Sequence, residues 1–314
     1  MNNPRVLAVI TVLIWSTGQT LGKILSSATA FSLFALSTAF ALVTFTFYAL
    51  ATEGKGWIIR LRNIDRKFIL FGLLGYFFYW LGVSECYRSY ATVSEPGVLN
   101  YTWPLFTALF TELFFRTHKH VKSKAVYLVE GTGILLGFLS TLLMVTEGHI
   151  LSFNITNGRG LAWGLFAGAS YGLYSAFSST VEKDKQLTFL ITSAGLGVIG
   201  LGLLSVFQAS SLSGLTIPRL LAVVALGCVV DGFGYIVWTR TNRGARELGV
   251  SIASITSIVY VLPVLSLIVL SISFRESRIL QPYFILVLVL LVSGSFLCQQ
   301  GASMVAKRVG TGVS

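Results

Sequence analysis

The sequence predicts an all-α integral membrane protein: ten transmembrane helices in two inverted five-helix repeats, with both termini in the cytoplasm. Three observations lead to this prediction. Of 314 residues, 54% are hydrophobic and only 11% are charged, whereas about 25% are charged in an ordinary soluble domain. Apolar stretches of membrane-spanning length recur along the whole chain. Short motifs of the first half also return in the second.

Ten apolar blocks supply the predicted helices. A spanning helix needs about 20 apolar residues, and the runs lack the strict alternation of lipid-facing β-strands. The first block is too long for the apolar part of a signal peptide, so we expect it to be retained. The blocks cover 5–25, 30–51, 67–87, 91–115, 125–146, 160–181, 188–207, 219–239, 250–272 and 282–304.

The basic residues lie between the apolar blocks, so they indicate topology rather than nucleic-acid binding. With a cytoplasmic N-terminus, 17 of the 23 lysines and arginines fall in cytoplasmic segments. This bias follows the positive-inside rule and makes the lipid bilayer the expected partner. The three cysteines, Cys86, Cys228 and Cys298, are scattered through apolar stretches, which excludes a disulfide scaffold.

The chain repeats itself with a spacing close to half its length. Tyr101–Phe106 is echoed by Tyr260–Leu265, 159 residues later. Because each copy contains an odd number of helices, the second copy must enter the membrane upside down. This is the inverted-repeat architecture of secondary transporters, whose binding sites lie near the membrane midplane. The predicted domains are therefore 1–157 and 158–314.

Two prolines, Pro104 and Pro263, fall inside predicted helices at equivalent positions of the two repeats. A proline within a membrane helix leaves a carbonyl free and kinks the helix. One interpretation is a simple packing kink. Because the pair is symmetric, we favour a hinge or cavity role.

Polar side chains at mid-membrane depth predict the candidate binding residues. A Tyr hydroxyl or Trp N–H facing lipid would lack a partner, so these groups should point inward, towards protein or a cavity. As a group they predict an aromatic-lined cavity for an amphipathic substrate with a flat apolar part, although each one alone also fits core packing. The candidates are Trp15, Gln19, Tyr76, Tyr79, Asn100, Tyr101, Trp103, Trp163, Tyr171, Tyr174, Tyr235, Ser257 and Tyr260. Of these, Trp163 lies near a predicted helix end and also fits an interfacial belt.

One ionisable residue stands apart. Asp231 lies deep in the eighth helix, one turn from Tyr235, with no basic residue within a turn. Charged groups at this depth are costly and usually functional, so Asp231 is a candidate proton or amine site. Trp238 shares this helix face, although its place near the helix end also fits an interfacial belt.

The sequence contains no catalytic or metal-binding motif in the structural context that such a motif requires. The pattern Gly195–Gly200 fits G-x-G-x-x-G, but it lies inside an apolar helix without a preceding strand. The histidines are dispersed, and no pattern of metal-ligating residues occurs. We therefore expect no enzymatic activity, cofactor or metal. Glycines spaced by four, at Gly133 and Gly137 and from Gly164 to Gly172, predict close helix packing.

Several short segments of the two halves form recognisable motifs: Leu13–Ser16, Tyr90–Glu95 leading into Tyr101–Phe106, and Gly249–Ser254 leading into Val261–Val264. In these segments the chain resembles the ten-helix, EamA-type branch of the drug/metabolite transporter superfamily, and the resemblance covers essentially its whole length. One departure is that the Gly-Glu that commonly follows the fourth and ninth helices is replaced by Phe115-Arg116 and Arg275-Glu276.

Within that superfamily the sequence is most similar to bacterial exporters of aromatic amino acids. The resemblance implies a multi-pass protein of the bacterial inner (plasma) membrane that moves its substrate to the periplasm by alternating access. On this view, the substrate ring is enclosed by Tyr79, Tyr101, Trp103 and Trp163. Asn100, Ser257 and Tyr260 are then candidates for its amino and carboxylate groups. The oligomeric state stays open, with a monomer as one option.

Two other classes stay open. An integral membrane enzyme would need clustered acids, histidines or cysteines at the membrane surface. A transporter of sugars, nucleotide-sugars or cationic drugs is the second, and a cationic drug would favour a buried carboxylate such as Asp231. Energy coupling is also open, with Asp231 or Glu95 as possible proton carriers.

Overall fold

The fold is a bundle of helices, seen here in a computed structural model that describes residues 3–25, 31–62, 64–90, 96, 99–115, 123–146, 148–152, 157–208, 215–274 and 282–310. No β-strand occurs within these ranges. The helices are α1 (Pro4–Ser16), α2 (Gly18–Leu25), α3 (Phe31–Glu53), α4 (Gly56–Leu61), α5 (Arg66–Ser89), α6 (Trp103–Phe114), α7 (Lys124–Val145), α8 (Gly158–Ser178), α9 (Gln186–Phe207), α10 (Ile217–Glu247), α11 (Ile252–Val259), α12 (Leu262–Phe274) and α13 (Tyr283–Gly310).

Seven helical segments among the described residues are long and apolar enough to span a bilayer. They are α3, α5, α7, α9, α10, α11 together with α12, and α13. The predicted all-α class is thus confirmed, and the helices fit a multi-pass membrane protein. The helix α8 is equally long but rich in glycine and serine. More than half of its residues are buried, so protein rather than lipid surrounds most of it.

Glycines set the closest helix contacts. A Cβ atom added to Gly133 of α7 would lie 2.6 Å from the carbonyl oxygen of Gly294 in α13. A Cβ atom on Gly168 of α8 would lie 2.1 Å from the Thr102 hydroxyl, and one on Gly172 would lie 2.5 Å from Phe106. The close packing predicted from the glycine spacing is therefore confirmed.

The helix neighbours follow a symmetric pattern. The helix α8 packs against α5 and α6, and α1 packs in the same way against α10 and the α11–α12 pair. Likewise, α3 contacts the middle of α10 while α9 contacts α5. Two long pairs, α3 with α9 and α7 with α13, complete the bundle. Exchanging the helices α1–α7 of the first half with the helices α8–α13 of the second half reproduces each of these contacts.

Irregular helix segments recur at matched positions. A π-helical segment occupies Leu73–Phe78 in α5, and another occupies Leu226–Phe233 in α10, beginning 226 − 73 = 153 residues later. A π segment widens the helix and is frequently found at functional sites. Both segments face the bundle interior, because α9 packs on the first and α3 on the second.

The two symmetric prolines do not lie inside continuous helices as predicted. Turns at 101–102 and 260–261 interrupt the fourth and ninth apolar blocks. Pro104 and Pro263 are the second residues of α6 and α12. A proline at a helix start sacrifices no backbone hydrogen bond, because the first N–H groups of a helix have no partner within it. The helices are therefore broken before the prolines rather than kinked at them.

Candidate functional site

Eight aromatic residues meet where α1, α5, α6, α8 and α10 converge. Trp103 lies 4.9 Å from Tyr171 between ring centroids, Tyr76 lies 4.8 Å from Tyr235, and Trp15 lies 5.6 Å from Trp238. Most of these pairs are edge-to-face or tilted, the geometry that aromatic quadrupoles favour. We call this group the central ring cluster: Trp15, Tyr76, Tyr79, Trp103, Tyr171, Tyr174, Tyr235 and Trp238.

The polar tips of three of these rings bond to α10 and α8. The Trp15 indole N–H donates to the carbonyl of Val230 at 3.0 Å, and the Tyr76 hydroxyl donates to the carbonyl of Asp231 at 3.5 Å. Both carbonyls belong to the π segment of α10. The Trp238 indole N–H donates to the Ser175 hydroxyl at 2.8 Å. These bonds satisfy groups that lipid would leave without partners.

Small residues make room for the rings. A Cβ atom on Gly75 would lie 2.2 Å from the ring of Tyr174, and one on Gly234 would lie 2.3 Å from the Trp15 indole nitrogen. Each ring therefore occupies space that only glycine leaves open on the neighbouring helix. Gly75 lies within the π segment of α5, and Gly234 directly follows the π segment of α10.

Most of the central ring cluster is buried, while Trp15 and Tyr79 are half-buried. Tyr76, Tyr174 and Trp238 have no exposed surface, and Trp103 retains only 4%. The rings contact one another directly, so they fill the centre of the bundle instead of lining an open cavity as the sequence predicted. A bound molecule would therefore have to displace ring–ring contacts.

Asp231 lies beside the cluster. The residue is 3% exposed, and its Oδ2 accepts a hydrogen bond of 2.9 Å from the Ser37 hydroxyl of α3. Among the described side chains, no lysine, arginine or histidine forms an ion pair with it. Asp231 is therefore a buried carboxyl group with a hydroxyl partner and no basic partner among the described side chains.

Polar contacts close one end of the bundle. The Asn242 amide donates to the hydroxyls of Ser175 and Ser178 at 3.0 and 3.2 Å, which ties α10 to α8. Nearby, Arg243 donates to the side-chain oxygen of Gln186 at 2.7 Å. Phe71 stacks on Phe177 at 4.0 Å. Together, these contacts join α5, α8, α9 and α10 at this end of the bundle.

Charged contacts close the opposite end. Glu85, near the end of α5, accepts hydrogen bonds from Arg88 and from Arg159 of α8, both at 3.0 Å. Arg88 also donates to the side chain of Gln208 at the end of α9. Arg88 therefore links α5 to α9 at this end. Glu95, which the sequence offers as a possible proton carrier, lies outside the described residues.

Removing the Glu85 charge is expected to loosen this end. We expect Glu85→Gln to lower the free energy of unfolding by about 1 kcal/mol or less, because both arginines are substantially exposed and solvent screens them. Glu182→Gln, which removes the exposed pair with Lys185, is the matched control and should cause no measurable change. Thermal unfolding of the purified variants tests both expectations. Equal effects of the two substitutions would contradict a specific role for Glu85.

Some predicted residues lie outside the cluster. Trp163 contacts Phe166 of its own helix. Tyr260 is buried against Gly137 of α7, in a separate core with α13. The Ser257 hydroxyl donates to the carbonyl of Ser254 in its own helix. The structure therefore does not bring these three side chains to the rings.

Two further predicted residues border the cluster, and one cannot be placed. Tyr101 is buried in the same core, and Asn100 lies near the Tyr79 hydroxyl. The side-chain oxygen of Asn100 is buried without a hydrogen-bond partner at bonding distance. Gln19 belongs to α2, but its side chain lies outside the described residues.

Sequence reasoning missed some members of this site. Trp238 is completely buried at the centre, so it does not belong to an interfacial belt. The helical spacing of Trp238 from Asp231 and Tyr235 indicates in the sequence that the three residues share one helix face. Ser37 and Ser175 carried no signal, because single serines in apolar helices usually bond to their own backbone.

Comparison with known proteins identifies the fold but no family. No family model matches the chain, and no curated protein matches it either. One crystal structure of a protein aligns with a TM-score of 0.74 and 19% sequence identity. The alignment covers 95% of this chain and 98% of that chain. At this identity the likeness shows the fold alone.

Proposed function

We propose that the protein is a secondary transporter that exports aromatic amino acids and related amphipathic metabolites across the bacterial inner membrane. The observation that carries the proposal is the central ring cluster, buried where five helices converge and closed by polar contacts at both ends. A site at this depth, accessible alternately from each side, is the requirement for alternating access. The cluster offers ring faces and a few polar tips, which suit a flat amphipathic substrate.

The proposal includes ten spans in two inverted repeats, 1–157 and 158–314. Three observations support this arrangement. The helix neighbours keep their pattern when the two halves are exchanged. The π segments of α5 and α10 fall at matched positions. The turn before Pro104 is repeated before Pro263, with matching hydrogen bonds from Thr102 to Leu99 and from Val261 to Ile258, each 3.2 Å.

Sidedness follows from the basic residues. With cytoplasmic termini, the end that carries Asn242 and Arg243 faces the cytoplasm, and the end that carries Glu85 faces the periplasm. Substrate would enter after the contacts between α8 and α10 separate, and would leave after Glu85 releases Arg159. The closed cluster is then an occluded state between these two openings. The proposed hinges are the breaks before Pro104 and Pro263.

Uptake into proteoliposomes tests the proposal. Purified protein is reconstituted and given labelled phenylalanine or tryptophan, beside empty liposomes. We expect saturable uptake that Trp103→Ala abolishes, because Trp103 contacts Trp15, Tyr171 and Trp238 at the centre. Trp163→Ala, which removes an indole outside the cluster, is the matched control and should retain uptake.

Competitors and outcomes complete the design. Unlabelled phenylalanine, tryptophan, threonine, glutamate and a flat organic cation are added in parallel. Inhibition by the aromatic amino acids alone would support the proposed substrates, whereas inhibition by the cation alone would indicate a cationic-drug exporter of the same architecture. Absence of uptake by folded wild-type protein would refute the proposed substrates. Equal uptake by Trp103→Ala and wild type would refute the ring cluster as the site.

A further inference from the structure

Asp231 is a carboxylate whose surroundings contain aromatic rings and a hydroxyl but no described counter-charge. From α3, Ser37 donates to its Oδ2. The helix α2 also contacts the π segment that contains Asp231, and the side chain of its Lys23 lies outside the described residues. From α5, the Tyr76 hydroxyl reaches the Asp231 carbonyl, and from α1, Trp15 bonds the preceding carbonyl of Val230. Tyr235 lies one turn further along α10 and contacts both Trp15 and Tyr76.

The titratable neighbours of this carboxylate in the described part of the chain are all tyrosines. Tyr76, Tyr79, Tyr171 and Tyr235 lie within electrostatic range of Asp231. No described lysine, arginine or histidine faces it from α1, α3, α5 or its own helix. The site therefore has one acidic group and no cationic one among the described side chains.

A buried carboxylate of this kind favours a cationic ligand. Taking its charge out of water without a partner is expensive, and a cation that arrives beside it offsets this cost, so the site selects positively charged groups. The surrounding rings add to this, because the face of a Trp or Tyr ring attracts a cation. A calcium or magnesium ion would require several oxygen ligands, and the described residues provide no cluster of acidic groups here.

We infer that Asp231 binds the ammonium group of the substrate, so that the amino group rather than the carboxylate anchors an aromatic substrate in the central ring cluster. The inference rests on the proposed function and adds its recognition chemistry. It follows that a flat ring carrying a primary ammonium group is the minimal ligand. A substrate carboxylate is dispensable for binding, and a ring compound with a carboxylate alone is a poor ligand.

Two probes that share a phenyl ring but carry opposite charges test the inference. Phenethylamine carries the ring and the ammonium group, and 3-phenylpropionate carries the ring and a carboxylate. Binding of each to purified protein is measured by isothermal titration calorimetry. We expect wild-type protein to bind phenethylamine more tightly by on the order of tenfold or more. Asp231→Asn should remove this preference by weakening phenethylamine binding, because the amide has similar shape but no charge.

Glu53→Gln is the matched control, because Glu53 at the end of α3 is a half-buried carboxylate that is already paired with Arg60 at 2.8 Å. This variant should keep the wild-type preference. A preference that survives in Asp231→Asn would overturn the inference. So would wild-type protein that binds 3-phenylpropionate as tightly as phenethylamine, and this comparison needs no variant to fold.

The binding and uptake experiments can refute the amine site and the proposed function independently. If phenethylamine binds through Asp231 but no aromatic compound is taken up by proteoliposomes, the proposed function fails and the amine site stands. If aromatic amino acids are taken up and Asp231→Asn leaves the ligand preference unchanged, the transporter stands and the amine site fails.

Discussion

Gly133→Ala is expected to separate α7 from α13 and to lower the free energy of unfolding by about 1–3 kcal/mol. The new methyl group would lie 2.6 Å from both the Gly294 carbonyl oxygen and the Cys298 sulfur. A backbone carbonyl in a neighbouring helix cannot move aside cheaply. Because this is a long and close helix pair, the whole pair must shift to relieve the overlap.

Gly131→Ala is the matched control on the same helix. A Cβ atom there meets no other atom within 4 Å, and alanine favours the helix over glycine by about 1 kcal/mol. We therefore expect the control to be neutral or stabilising. Thermal unfolding of both variants in the same detergent is the measurement. Similar midpoints for the two variants would show that the helices do not meet at Gly133.

Trp15→Ala is expected to have the second large effect, both on stability and on uptake. Trp15 contacts Trp103, Tyr171, Tyr235 and Trp238 in the central ring cluster. Truncating a large core side chain usually costs about 3–5 kcal/mol. The neighbouring rings would also lose the surface that holds them in place, so aromatic uptake should fall with stability.

Trp15→Phe separates the two contributions of this residue. Phenylalanine retains a ring but cannot donate to the Val230 carbonyl, so the loss should be about 1 kcal/mol. The unfolding midpoint and the uptake rate are measured together for both variants. Retained stability and uptake in Trp15→Ala would mean that the cluster is not a packed unit, whereas equal losses in both variants would assign the whole effect to the hydrogen bond.

The sequence predicted the fold class because the physical rules that determine this class act on each helix separately. Apolar runs of spanning length must be helical in a bilayer, and the long described helices agree with this. Glycine spacing predicted close packing at Gly133 and along α8 for a similarly local reason. The inward direction of Trp15, Tyr76, Tyr171 and Tyr235 followed from the cost of leaving their polar tips in lipid.

The remaining features depend on which helices become neighbours, and a single sequence does not contain that information. Tyr260 points into the protein, as Tyr171 does, but it faces α7 and a different core. Trp163 and Trp238 both lie near predicted helix ends, where an interfacial belt is possible, but only Trp238 reaches the centre. The π segments also escaped prediction, because an extra residue in one helical turn leaves no mark on hydrophobic periodicity. The breaks before Pro104 and Pro263 depend on backbone turns that proline alone does not determine.

The three indoles at the centre also give the protein an internal optical probe. Trp15, Trp103 and Trp238 are mutual neighbours, with ring centroids 5.4 to 5.8 Å apart. At such separations the excited states of indoles couple, so they contribute to the near-ultraviolet circular dichroism as a group. Any opening of the bundle that separates the rings would change both this signal and the fluorescence. The motion of the site can thus be followed in the unlabelled protein.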